Sequence, residues 1–166
     1  MTLYVLRHGV AEDAVPGGDD RTRRLTARGR AKMRAVAAGL RALGLHFDAI
    51  LTSPLPRAAE TATIVSAAYG GTPVPAPLPA LATGVAPAQT LVALRPFARC
   101  DHLMIVGHEP GLSRLASLVL SGSPDGFALE LKKGGCVAIE VAKLAPPSGA
   151  MLLWHLTPRQ LRRLGR

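Results

Sequence analysis

A chain of 166 residues, 48% apolar but only 4% aromatic, can bury one core of Leu, Val and Ala and is too apolar for disorder. Cys100 and Cys136 fit neither a disulfide framework nor a zinc spacing, and no uninterrupted apolar stretch approaches the roughly 20 residues of a bilayer span. Met1–Leu6 is too short for a signal-peptide core, so the expectation is a soluble cytoplasmic protein of one domain, residues 1–166, whose net charge of +9 suits an anionic partner.

Residues 2–7 read as a strand, followed by a polar, glycine-containing loop over 9–24. Thr26 is a fitting N-cap for a helix from Ala27 to Leu43, whose buried face is Met33, Val36, Ala37, Leu40 and Leu43, with Gly44 closing it. Asp48–Thr52 is a second strand, broken by Ser53-Pro54, and a helix runs from Pro56 to Tyr69. Residues 70–87, rich in Pro and Gly, form an irregular connection before a helix from Pro87 to Phe97. His102–Val106 is a buried strand ended by Gly107-His108, and Gly111–Leu120 is a helix.

Residues 127–131, 136–143 and 150–155 read as strands, the last two as a hairpin across Pro146-Pro147-Ser148-Gly149. Thr157-Pro158 caps a short basic helix. Alternating strands and helices predict an α/β fold, a three-layer α/β/α sandwich with a mostly parallel central sheet and an antiparallel edge strand.

In such sheets ligands bind beyond the carboxyl ends of the strands. Three predicted strands end in Arg7-His8, Ser53-Pro54-Leu55-Pro56-Arg57 and Gly107-His108-Glu109-Pro110, so two histidines and two arginines should meet at one crevice. Two guanidinium forks match the oxygens of a phosphoryl group, and their charge disfavours imidazolium. Neutral His8 is then a competent nucleophile, and His108 can donate a hydrogen bond to the group in transfer. Arginines beside both histidines would repel a cation, so no metal and no other cofactor is expected.

Arg7-His8-Gly9, Ser53-Pro54-x-x-Arg57 followed by Ala58-x-x-Thr61, and Gly107-His108 on a late strand resemble the histidine phosphatase superfamily. The compact length, Arg24-Leu25-Thr26 with Gly29, His108-Glu109-Pro110 and Leu156-Thr157-Pro158 are similar to its SixA-type phosphohistidine phosphatase branch, across essentially the whole chain. The resemblance implies a phosphoglycerate mutase-like fold with His8 as phosphate-accepting nucleophile. It makes Arg7 and Arg57 phosphate ligands, has His108 completing the pocket, and puts Arg24 beside it holding phosphate or substrate. Ser53 is expected to shape the turn.

Larger members of the superfamily carry a general acid on an inserted segment, and this chain has no such insertion. Glu12, Asp13 and Glu109 are the acidic residues near the two histidines and the candidates for a proton donor. Phosphohistidine can carry a proton on its distal imidazole nitrogen and leaves with less help than an alkoxide.

The expected activity is therefore removal of phosphate from phosphohistidine on a protein, such as a histidine phosphotransfer domain, in signal transduction. The rivals are a small-molecule phosphomonoesterase or phosphoramidate hydrolase on the same site, and a non-catalytic phosphate- or phosphoprotein-binding module. Partners should be a phosphorylated protein or small phosphorylated substrate, with no nucleic acid, no membrane and a monomeric state. His46, His102 and His155 fall outside the constellation, and the basic C-terminal helix reads as a solvated face.

Overall fold

A computed structural model describes residues 1–144 and 147–166. Among these residues the strands are β1 (Thr2–Arg7), β2 (Ala49–Thr52), β3 (Ala76–Pro77), β4 (His102–Gly107), β5 (Cys136–Leu144) and β6 (Pro147–Leu156). They form one sheet in the order β3-β2-β4-β1-β5-β6. The first four strands of that order are mutually parallel, and β5 runs antiparallel to both β1 and β6. The expected antiparallel edge is thus two strands deep.

The helices are α1 (Ala27–Ala42), α2 (Pro56–Ala68), α3 (Pro87–Ala93), α4 (Gly111–Ser121) and α5 (Pro158–Leu164). Strand side chains alternate between two helical layers, as the pleat requires. Leu3, Val5, Leu103 and Ile105 pack with Leu91 of α3 and Leu112 and Leu115 of α4. Tyr4, Leu6, Met104 and Val106 pack with α1, α2 and Leu161 of α5. With both faces of β1 and β4 covered, these strands read as continuous apolar runs. No helix among the described residues is long and apolar enough to cross a membrane.

Local chemistry sets the helix ends. Thr26 accepts from Gly29 N–H at 2.8 Å, and Thr157 and Gln160 cap each other reciprocally at the start of α5. Gly44 has φ +71 and ends α1 in the left-handed region. The helix predicted to reach Phe97 stops at Ala93 and resumes as a 3₁₀ turn over Arg95–Phe97, because Pro96 cannot donate into the ladder.

Three readings need correction. Residues 127–131 form no strand: both flanks of β1 are already taken by β4 and β5. Leu129 and Leu131 supply the apolar alternation by packing into the core. Residues 70–87 hold the short strand β3, whose Pro77 gave no strand signal because proline survives only at a sheet edge. β6 begins at Pro147, opposite Leu144, three residues earlier than expected; the predicted turn residue Pro146 lies outside the described residues.

Candidate active site

The parallel register brings three strand ends to one level. Arg7 lies opposite Gly107, and Thr52 lies opposite Val106. His8 N–H donates to Gly107 O at 3.1 Å and Ser53 N–H to Val106 O at 2.9 Å, so His8, Ser53 and His108 continue from β1, β2 and β4 side by side. His8, Ser53, Arg57 and His108 are all buried.

His8 Nδ1 lies 2.7 Å from the carbonyl oxygen of Gly9. A carbonyl only accepts, so this contact assigns the proton to Nδ1 and leaves the lone pair on Nε2. Burial lowers the His8 pKa to about 4; the Gly9 bond opposes this, and the charges of Arg57, Arg7 and Lys133 add to it. At neutral pH the ring is therefore uncharged with a free Nε2.

The Gly9 turn is held from two sides. Its N–H donates to Thr61 Oγ1 at 3.0 Å, and the same hydroxyl donates to Arg57 O at 2.7 Å, tying the end of β1 to the first turn of α2. On α1, Gly29 packs against the Val10 carbonyl, where a Cβ would collide with backbone. These contacts give Thr61 and Gly29 their places in the sequence pattern.

The His108 ring lies tilted against that of His8, with centroids 5.0 Å apart. Its Nε2 is 2.8 Å from Ser53 Oγ, which itself accepts from Leu55 N–H. We assign the serine hydroxyl as donor to Nε2, and with that assignment the imidazole proton sits on Nδ1, a buried atom without a partner. Burial, then His8 and Arg57, lower the His108 pKa to about 3. Ser53 thus shapes its turn and also orients His108.

Arg7 Nη1 donates to Leu131 O at 2.8 Å, and Arg57 Nη1 donates to Asp20 O at 2.7 Å. Arg57 Nη2 also pairs with Asp20 Oδ2 at 2.9 Å. Arg7 Nε, Arg57 Nε and His108 Nδ1 are all buried and unpartnered. Three orphaned donors around a nucleophilic nitrogen are an expensive arrangement by themselves, and one that an anion with several acceptor oxygens would satisfy.

Arg24 does not join this group. Residues 23–25 run extended beside Ala11, so side chains alternate: Leu25 is buried, and Arg24 points outward to pair with Glu60 at 3.1 Å. Arg23 is the inward neighbour, with its Nη2 2.6 Å from Asp20 Oδ1 and its Nε buried and unpartnered. Burial would raise the Asp20 pKa, but Arg57 and Arg23 outweigh it and hold the carboxyl below its usual range.

Arg23, Asp20 and Lys133 were not found from the sequence. The strict alternation around the buried Leu25 could have favoured Arg23 over Arg24. Lys133 reaches the site because antiparallel β5 starts beside the carboxyl end of β1, with Cys136 opposite Leu6. There Gly134 N–H meets the carbonyls of Arg7 and His8, each at 3.1 Å.

The carboxylate candidates separate cleanly. Glu12 is exposed and its Oε2 accepts from Arg24 N–H at 3.1 Å; Asp13 is exposed in the same loop. Glu109 is partly buried, its Oε2 accepts from Ser113 Oγ, and its Oε1 is buried without a partner. Away from the site, His46 and His102 pack edge to face at 4.0 Å, and Leu161 anchors α5 against Gly39 of α1 while Arg159 and Arg163 stay exposed.

Comparison with known proteins agrees with this architecture. Residues 3–79 match the histidine phosphatase superfamily (branch 1). An uncharacterized protein of Picosynechococcus sp. strain PCC 7002 is 39% identical over 145 residues, 84% of each chain. The structure of the protein histidine phosphatase SixA complexed with tungstate superposes with a TM-score of 0.81 over 97% of this chain and 99% of that one, at 20% identity. The α-ribazole phosphatase of Shigella flexneri does so with a TM-score of 0.77 over 95% and 97%, at 18% identity.

Proposed function

The chain belongs to the histidine phosphatase superfamily, and we propose that it removes phosphate from phosphohistidine on a protein, such as a histidine phosphotransfer domain, through a phosphorylated His8. One observation carries this reading: His8 is neutral, with Nδ1 committed to Gly9 and Nε2 free, among the charges of Arg57 and Arg7. In the first half-reaction Nε2 attacks phosphorus and the substrate imidazole departs. Arg7, Arg57 and Arg23 take the phosphoryl oxygens, and His108 Nδ1–H donates to the charge that develops. Water then attacks the phosphorus on His8 and releases inorganic phosphate.

A protein substrate is supported by the exposed basic rim of Arg21, Arg24, Lys132 and Lys133, and by the likeness to SixA. Arg24 belongs to this rim and would meet the substrate surface rather than its phosphate. A small-molecule phosphomonoesterase is the second reading, favoured by the Glu109 carboxyl beside His108.

The test is a ³²P-labelled phosphohistidine protein offered to wild type and to His8→Ala. Wild type should release phosphate and yield an acid-labile phosphoenzyme; His8→Ala should do neither. Label retained on His8→Ala would remove His8 as nucleophile. Turnover of sugar phosphates equal to that of the phosphoprotein would remove the substrate assignment.

A further inference from the structure

Asp20 holds two of the arginines of the site, and phosphoryl transfer through His8 gives it no task. Arg57 Nη1 donates to Asp20 O and Arg57 Nη2 to Asp20 Oδ2, so one residue takes both terminal nitrogens of that guanidinium. Arg23 is held the same way: its Nη1 donates to Glu12 O at 2.7 Å, and its Nη2 meets the other Asp20 oxygen, Oδ1, at 2.6 Å. A guanidinium carries two N–H donors on each terminal nitrogen and one on Nε. With the terminal nitrogens engaged, each arginine has its Nε–H left over, and both Nε atoms are buried and unpartnered. Charge adds a second reason for the arrangement. Arg23 and Arg57 repel each other, and a carboxylate between them offsets that repulsion. The Asp20 charge is also felt in the pocket: burial, His8 and Arg57 lower the His108 pKa, and Asp20 opposes them.

We propose that Asp20 is a positioning residue, whose carboxylate fixes Arg23 and Arg57 by their terminal nitrogens so that both Nε–H edges stand ready for the oxygens of one phosphoryl group. The proposal rests on the phosphate site described above. Asp20 does not itself bind phosphate, because two anions in contact repel; it acts through the two arginines. The arginines depend on it unequally. The Arg57 side chain is 3% exposed and keeps the Asp20 backbone carbonyl as a partner whatever the side chain at position 20. The Arg23 side chain is 23% exposed, and without the carboxylate only the Glu12 carbonyl holds its head. Loss of the Asp20 charge therefore frees Arg23 first. A carboxylate that merely plugged the clamp would act in the opposite sense, since its removal would release donors to phosphate.

The experiment measures inorganic phosphate binding by calorimetry, and kcat/KM on phosphoramidate, for wild type, Asp20→Asn, Asp20→Glu, Arg23→Ala and the double variant of Asp20→Asn with Arg23→Ala. Asp20→Asn keeps the shape of the side chain and removes its charge. Its phosphate Kd should rise about 10-fold, the worth of one charge-assisted hydrogen bond, and its kcat/KM should fall about 10-fold or more. Asp20→Glu retains the carboxylate and should recover part of both losses. With Arg23 already removed, loss of the Asp20 charge should cost less than it does in wild type, so the two losses fall short of additive. Tighter phosphate binding by Asp20→Asn, fully additive losses, no recovery in Asp20→Glu, or a wild type that binds no phosphate would each overturn the proposal. If wild type binds phosphate but releases none from a phosphohistidine protein, the substrate assignment falls and the phosphate affinities still decide the role of Asp20.

Discussion

Once His8 Nδ1 donates to the Gly9 carbonyl, only Nε2 can take up a proton, and burial beside Arg57 and Arg7 opposes it. The residue-scale prediction is that the His8 imidazole stays neutral, protonated at Nδ1, well below the ordinary histidine pKa of about 6.5. Nitrogen-detected NMR titration should show no transition for His8 between pH 7 and 5, and a transition near 6.5 would overturn the assigned environment. Arg57 is buried beside His8 with its Nε unpartnered, so Arg57→Ala should cost about 10³-fold in kcat/KM, by analogy with other phosphate-clamping arginines. Arg23→Ala should cost more than Arg24→Ala, because Arg23 shares Asp20 with Arg57 whereas Arg24 pairs on the surface with Glu60. Steady-state kinetics on the three variants gives the ranking. The pattern of the sequence placed Arg7, His8, Arg57 and His108 at strand ends, but the sign of a single alternation decided between two adjacent arginines.

At the scale of elements, the site depends on how closely β1, α1 and α2 approach one another. Gly29 has no room for a Cβ against the Val10 carbonyl, so Gly29→Ala must displace backbone two residues from His8. It should lower both Tm and kcat, and in equal measure for every phosphoryl donor, since it moves the nucleophile rather than one contact. By contrast Thr157→Ala removes a capping box far along the chain and should cost about 1 kcal/mol of stability with kcat unchanged. Thermal melts and kinetics on the same preparations separate the two. Helix starts were legible because caps and prolines are local signals: Thr26, Pro56 and Thr157 each acted where they stand, whereas the break at Pro96 was missed and α3 stops short of the predicted Phe97. The outcome at 127–131 was not legible, because alternation reports only which side chains are buried. Whether a segment pairs depends on a free neighbour in the sheet, and β1 has none to offer.

For the whole molecule, two properties follow from charge. His8 and His108 have native pKa values of about 4 and 3, below the unfolded value near 6.5. Between those limits the unfolded chain binds more protons than the native one, so stability falls as pH drops from about 6.5 toward 4. When complete, the shifts amount to about 3 kcal/mol for His8 and about 5 kcal/mol for His108. Denaturant unfolding across that range should show the decline, and His108→Asn should flatten it. The second property is the net charge of +9 with exposed Arg21, Arg24, Lys132 and Lys133 around the site. If the substrate is an acidic phosphoprotein, kcat/KM should fall steeply as ionic strength rises through ~0.1 M, where screening acts over ~10 Å. Turnover of a small aryl phosphate should change far less, and parallel salt dependence for both would argue against a protein-sized contact.

The sequence by itself determined the layered α/β architecture and the four residues that crown the strands. Apolar runs, caps and breakers are written locally, and a parallel sheet places its strand ends together. The tertiary structure alone decided what surrounds them. Asp20 bridges Arg23 and Arg57 because the 9–24 loop brings it against the first turn of α2. Lys133 and the Gly134 amide reach β1 because β5 enters antiparallel. Glu109 gains a buried, unpartnered oxygen because Ser113 and the 80–85 segment enclose it. Each of these depends on contacts between residues distant in sequence, and on burial, which acts on a proton's affinity only after the chain has closed around it.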